Sequence, residues 1–154
     1  MKHRQIITDE IREEYFSSLR DFLFEKSNRR KITMRRNACE ENEAGVYCFF
    51  INGELGYVGE SGCLKKRIND MLNTKNHSFR RSFGEHHFST HKLYTKAHSK
   101  NGYCAELESL LTDKMKEELE FSFIAMDIGR KEFEEWLQDR YPDTKFFNKR
   151  KKRK

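Results

Sequence analysis

Tyr47 and Tyr57 stand ten residues apart in the stretch AGVYCFFINGELGYVGESGCLKKR, which runs from Ala44 to Arg67. A phenol with a pKa near 10 is a poor base at neutral pH, so a tyrosine either orients a water or needs a nearby cation to favour its phenolate. Arg67 closes the stretch and supplies that cation. Its planar fork of N–H donors suits a two-point grip on a carboxylate or phosphate better than Lys65 or Lys66 beside it. Two phenols and a guanidinium so close in sequence can act jointly only if the fold brings them to one face.

Register decides that. "GVYCFFI" and "LGYVG" read as two strands joined through Asn52-Gly53, a strong hairpin signal. A two-residue Asn-Gly turn pairs residue 51 with 54 and sets Tyr47 across from Val58, with Tyr57 on the opposite side of the sheet. A three-residue loop, Ile51-Asn52-Gly53, pairs 50 with 54 and Tyr47 with Tyr57, with Gly53 left-handed. The local sequence permits either, and a joint role for the tyrosines points to the second.

The surrounding elements follow from periodicity. Apolar positions at Ile11, Tyr15, Phe16, Leu19, Phe22 and Leu23 predict a helix over about 8–26, capped by Thr8 or Asp9. "KSNRRK" reads as a polar linker. "CLKKRINDML" predicts a helix starting at Ser61 or Gly62, with Leu64, Ile68, Met71 and Leu72 on one face. Residues 73–103 are polar, basic and aromatic and read as loop and irregular structure. "CAELESLLTDKMKEEL" predicts a helix with Leu107, Leu110, Leu111 and Met115 inward. "EFSFIAMDI" predicts a strand, and "RKEFEEWLQDRY" a helix that Pro142 ends, with Phe133, Trp136, Leu137 and Tyr141 inward. This order gives an α+β fold: a three-stranded, mainly antiparallel sheet flanked by helices. The expected organisation is a helical N-terminal extension over 1–43, a domain over 44–148 and a basic tail over 149–154.

Thirty-six per cent of residues are hydrophobic and 36% charged, so the surface is densely charged. Of 31 basic residues, six form the tail KRKKRK, which leaves 25 against 25 acidic ones. The body is therefore neutral, and a nucleic-acid surface on it has to be a local patch. The tail suits phosphate backbone without sequence preference, or serves as a solvated terminus. No apolar run reaches membrane-spanning length, and the N-terminus lacks the apolar stretch of a secretory signal. Cys39, Cys48, Cys63 and Cys104 are scattered and form no C-x-x-C pair, which reads as reduced thiols in the cytoplasm.

Gly45-Val46-Tyr47, then Tyr57-Val58-Gly59, then an arginine eight positions on, resembles the GIY-YIG nucleases over roughly residues 44–148. The resemblance implies a small α+β nuclease domain acting on DNA with Mg²⁺ or Mn²⁺ and no organic cofactor. It implies that Tyr47 holds and deprotonates the attacking water, that Tyr57 lies beside the scissile phosphate and that Arg67 stabilises charge on it. Gly45 and Gly59 belong to the two strand motifs, Gly59 as a place where phosphate can approach. Asn148 matches an asparagine that often closes the domain, and a glutamate on a later helix matches the single metal-binding carboxylate. The products implied carry 5′-phosphate and 3′-hydroxyl ends.

Two helices offer that glutamate: Glu106 and Glu108 on one, Glu132, Glu134 and Glu135 on the other. The family's helix follows the third strand, and only the second helix here does so. From Glu134, Tyr141 lies at plus seven and Asn148 at plus fourteen. Glu134 is the expected metal ligand and Glu108 the alternative. Magnesium tolerates one carboxylate, waters and the substrate's own phosphate as its shell. Two positions depart from the family. Met71 stands one turn after Arg67, where several members carry a proton-transferring histidine or tyrosine, and Glu60 follows Gly59 where some carry lysine. A DNA-binding module without turnover is therefore the alternative reading. In "HSFRRSFGEHHFSTH", Arg80 and Arg81 are expected to grip phosphates beside Lys65 and Lys66, with Phe79 and Phe83 packing or stacking. His87 and His91 are a weak zinc pair within what reads as a basic surface loop.

Overall fold

The hairpin turn takes two residues. In the computed structural model, which describes residues 8–144 and 146, Ile51 pairs with Glu54. Asn52 and Gly53 both adopt positive φ, 50° and 87°, which matches the right-handed twist of the strands they join. The expected three-residue loop is thus corrected. Strands β2 (Gly45–Ile51) and β3 (Glu54–Ser61) nevertheless keep both tyrosines on one face, because the register slips by one between Phe49 and Phe50. Phe50 faces Leu55, Phe49 faces Tyr57 and Tyr47 faces Gly59, so Gly56 is the extra residue of a β-bulge.

The sheet has four antiparallel strands in the order β1-β4-β2-β3. The strand added to the expected three is β1 (Arg30–Lys31), two exposed basic residues pairing with Phe121 and Glu120 of β4 (Leu119–Ala125). Those residues carry no apolar alternation and read as linker. Strand β2 is central and buried on both faces. Tyr47 and Phe49 look into one layer, and Val46, Cys48 and Phe50 into the other.

The first layer holds α2 (Leu64–Asp70), α3 (Ser78–Phe88) and α4 (Ala105–Glu118), through Leu64, Ile68, Phe79, Phe83, Leu111 and Met115. Leu110, expected inward, lies on the outer side of α4 and is exposed. Helix α3 replaces the irregular structure expected there. Its buried face is Phe79, Arg80, Phe83 and Gly84, so an arginine and a glycine interrupt the apolar stripe that would have announced it.

The second layer holds α1 (Asp9–Phe24) and α5 (Arg130–Arg140), through Phe16, Leu23, Phe133 and Leu137. Thr8 caps α1 by accepting from the Ile11 N–H. Trp136 Nε1 donates to Glu13 at 2.7 Å, Arg140 pairs with the same carboxylate, and Ser122 donates to Leu23 O at 2.7 Å. The N-terminal helix therefore packs into the same core as the sheet and α5. Among the described residues no helix is long and apolar enough to cross a membrane. Asn148 and the basic tail lie outside the described residues.

Candidate active site

The side chains that sequence put on one hairpin and one helix do meet. Tyr47 Oη accepts a hydrogen bond from Arg67 Nε at 3.2 Å. The Tyr47 and Tyr57 ring centroids are 6.0 Å apart, on the α2–α3 side of the sheet. Arg67 sits in the last turn of α2, donates to Asn76 O at 3.1 Å and lies 3.6 Å from Asp70. It stays partly open to solvent, with 22% of its side chain exposed, whereas Tyr47 and Tyr57 are buried. The arginine is thus the reachable tip of a buried phenol cluster.

The two motif glycines serve the packing of this cluster. A Cβ at Gly59 would fall 2.4 Å from the Tyr47 Cζ and hydroxyl, because the Tyr47 ring lies across that glycine. The open face expected to admit phosphate is filled by the tyrosine, which corrects that reading. A Cβ at Gly45 would fall 2.2 Å from Ile124 O, where β2 and β4 draw together.

Burial drives the Tyr47 phenol well above 10, the neighbouring Tyr57 adds to this, and Arg67 opposes it. Tyr47 is a neutral phenol at neutral pH. The Tyr57 hydroxyl is equally enclosed, beside Tyr47 and Arg67, and forms no well-aligned hydrogen bond to a described residue. It shares this with the enclosed hydroxyls of Ser78 and Tyr94, and differs from them in lying against Arg67.

His77 is the member that sequence reasoning missed. It caps α3, accepting from the Phe79 N–H through Nδ1 at 3.1 Å, and its Nε2 lies 3.1 Å from Tyr47 Oη. Its one signal was position: it stands before Ser78 and two residues ahead of Phe79, where a helix would begin had α3 been read as one. Burial, and then the charges of Arg67 and Arg81, hold His77 well below 6.5, so the ring is neutral.

The expected phosphate-gripping arginines go elsewhere. Arg80 is 1% exposed and bonds Glu108 at 2.7 Å, Thr74 at 3.0 Å, Thr112 at 3.0 Å and Met71 O at 3.0 Å. It is an interior strut, which corrects its assignment to DNA. Phe79 and Phe83 are core and stack on nothing outside. Arg81 closes the preceding turn through Thr74 O and Lys75 O. Lys65 and Lys66 line a groove of about 720 Å³ with Arg36, Asn69, Asn73 and Asn76, beside Arg67.

Glu108, the alternative metal ligand, is bound to Arg80, to Thr74 at 2.7 Å and to the Tyr103 N–H at 3.1 Å. Glu134 is buried at 4% exposure and accepts from Gln138 at 3.4 Å. Its helix packs on the Val46–Val58 face, across the sheet from the tyrosines, one turn beyond Arg130, which binds Glu60 of β3 at 2.8 Å. His87 pairs with Glu118 at 3.1 Å and His91 Nδ1 accepts from the Leu93 N–H. No three His, Cys, Asp or Glu side chains converge among the described residues.

No family model matches this chain, and no curated protein or solved structure does either.

Proposed function

We propose that this protein is a divalent-metal-dependent endonuclease that hydrolyses DNA phosphodiester bonds. The observation that carries the reading is the convergence of Tyr47, Tyr57 and Arg67 at one end of α2. Arg67 is the phosphate clamp, open on one side and braced on the other. The Tyr57 hydroxyl stands behind Arg67, enclosed in the same cluster. Tyr47, buried and neutral, is the phenol around which the cluster is built, and guides the attacking water only through that framework. Lys65, Lys66 and Arg36 carry the flanking backbone.

Glu134 is a carboxylate at the α5–β3 edge, the hard oxygen donor that Mg²⁺ or Mn²⁺ takes, and it would hold the ion. An ion bound there would neutralise charge on a phosphate oxygen, and it would reach a phosphate held by Arg67 only around the β3 edge of the sheet. The four cysteines are free thiols, which fits a cytoplasmic protein. The position of α5 across the sheet favours a second reading, a DNA-binding module without turnover.

Supercoiled plasmid with Mg²⁺ or Mn²⁺ separates the two. Wild type is expected to nick it, Glu134→Ala to be inactive and Glu108→Gln to cut. Equal background nicking by all three contradicts the enzyme. Salt-dependent retention of DNA without cutting establishes the binding module.

A further inference from the structure

His77 has no part in the reading above, yet it touches the atom at its centre. The ring is fully buried among Tyr47, Phe49, Tyr57 and Phe79. A backbone N–H is always a donor, so the Phe79 N–H requires a lone pair, not a proton, on Nδ1. In the neutral ring the proton is then on Nε2, which faces Tyr47 Oη at 3.1 Å. His77 donates and Tyr47 accepts. Arg67 Nε donates to the same oxygen at 3.2 Å. Two N–H groups on two different helix termini thus occupy the acceptor side of one phenol, and the Tyr47 hydrogen takes the remaining direction.

We infer that His77 is the positioning residue of Tyr47: its Nε2–H, oriented by the α3 cap at Nδ1, fixes the phenol in a single orientation. His77 is not a general base, because neither ring nitrogen has a free lone pair. To become imidazolium it would have to break the cap. The titratable and charged groups facing it are Tyr47 from β2, Tyr57 from β3, Arg67 from α2 and Arg81 from α3, with no carboxylate among them. The role lost at Met71, one turn after Arg67, is not recovered here as proton transfer; what His77 supplies is geometry. The functional consequence rests on the nuclease reading, whereas the bond itself does not.

His77→Asn separates the two duties. Asparagine caps a helix as well as any residue but is too short to reach Tyr47. With the full-length protein, this variant is expected to stay folded with a lowered thermal transition, to keep the wild-type KM for plasmid and to lose about 10- to 100-fold in kcat, since a slight misplacement of a positioned group costs that much. ¹H–¹⁵N spectra of wild-type histidine rings should show a protonated Nε2 and an unprotonated Nδ1 for His77, unchanged between about pH 6 and 8. A protonated Nδ1, or titration within that range, overturns the inference. So does wild-type kcat in His77→Asn when wild type cuts. If wild type does not cut, the nuclease reading fails by itself, and the ring spectrum alone decides whether His77 holds Tyr47.

Discussion

A buried phenol held by two nitrogen donors is the smallest unit of this site, and its consequences are electrostatic. Arg67 and His77 both place N–H groups on Tyr47 Oη, which would stabilise a phenolate, yet burial outweighs them and keeps the proton on. Tyr47 is therefore not a ready base, and its value lies in fixing Arg67. His77 gives this arrangement a pH signature. Its folded pKa lies well below the 6.5 of an unfolded histidine. As pH falls below 6.5 the unfolded chain takes up a proton that the folded ring refuses, so folding stability is full above that value and declines beneath it. Denaturant titrations at stepped pH should show wild type losing up to about 1.4 kcal/mol per pH unit more than His77→Asn below pH 6.5. Parallel pH dependence in the two proteins would mean that His77 is protonated in the fold.

At the scale of elements, the sequence showed most of the framework and hid its joints. Periodicity placed α1, α2, α4, β4 and α5, because each carries a mainly apolar inner face, broken only by Ser122 in β4 and Glu134 in α5. The hairpin was legible from Asn52-Gly53, but the shared face of the tyrosines came from Gly56, whose bulge shifts Tyr57 by one residue. A glycine inside a strand is the only sequence sign of such a slip. Helix α3 was hidden because its core side includes Arg80, a residue that normally signals surface. The structure instead gives Arg80 a complete set of partners on α4 and in the turn before α3. Glu108→Ala would leave that guanidinium enclosed without its carboxylate. The expected cost is about 3 kcal/mol of stability by chemical denaturation. A change near zero would show that Arg80 reaches solvent and is available to DNA after all.

For the whole molecule, the sheet divides two kinds of work. On the α2–α3–α4 side lie Tyr47, Tyr57, Arg67, His77 and the groove of Lys65 and Lys66. On the α1–α5 side lie the aromatic packing of Phe16, Phe133 and Trp136 and the Glu60–Arg130 pair, with Glu134 one turn beyond. The division was invisible in the sequence, where Glu134 is just one of five candidate glutamates on two helices. It sets the partly open guanidinium of Arg67 against the enclosed hydroxyl of Tyr57. The Tyr57 hydroxyl is where function and stability disagree, and Tyr57→Phe tests the central claim most directly. An enclosed hydroxyl without a well-aligned hydrogen bond gains little from being there, so its removal should change stability by no more than about 1 kcal/mol. Metal-dependent plasmid nicking by the same preparation should fall about 100-fold or more. Undiminished nicking by Tyr57→Phe would contradict the account.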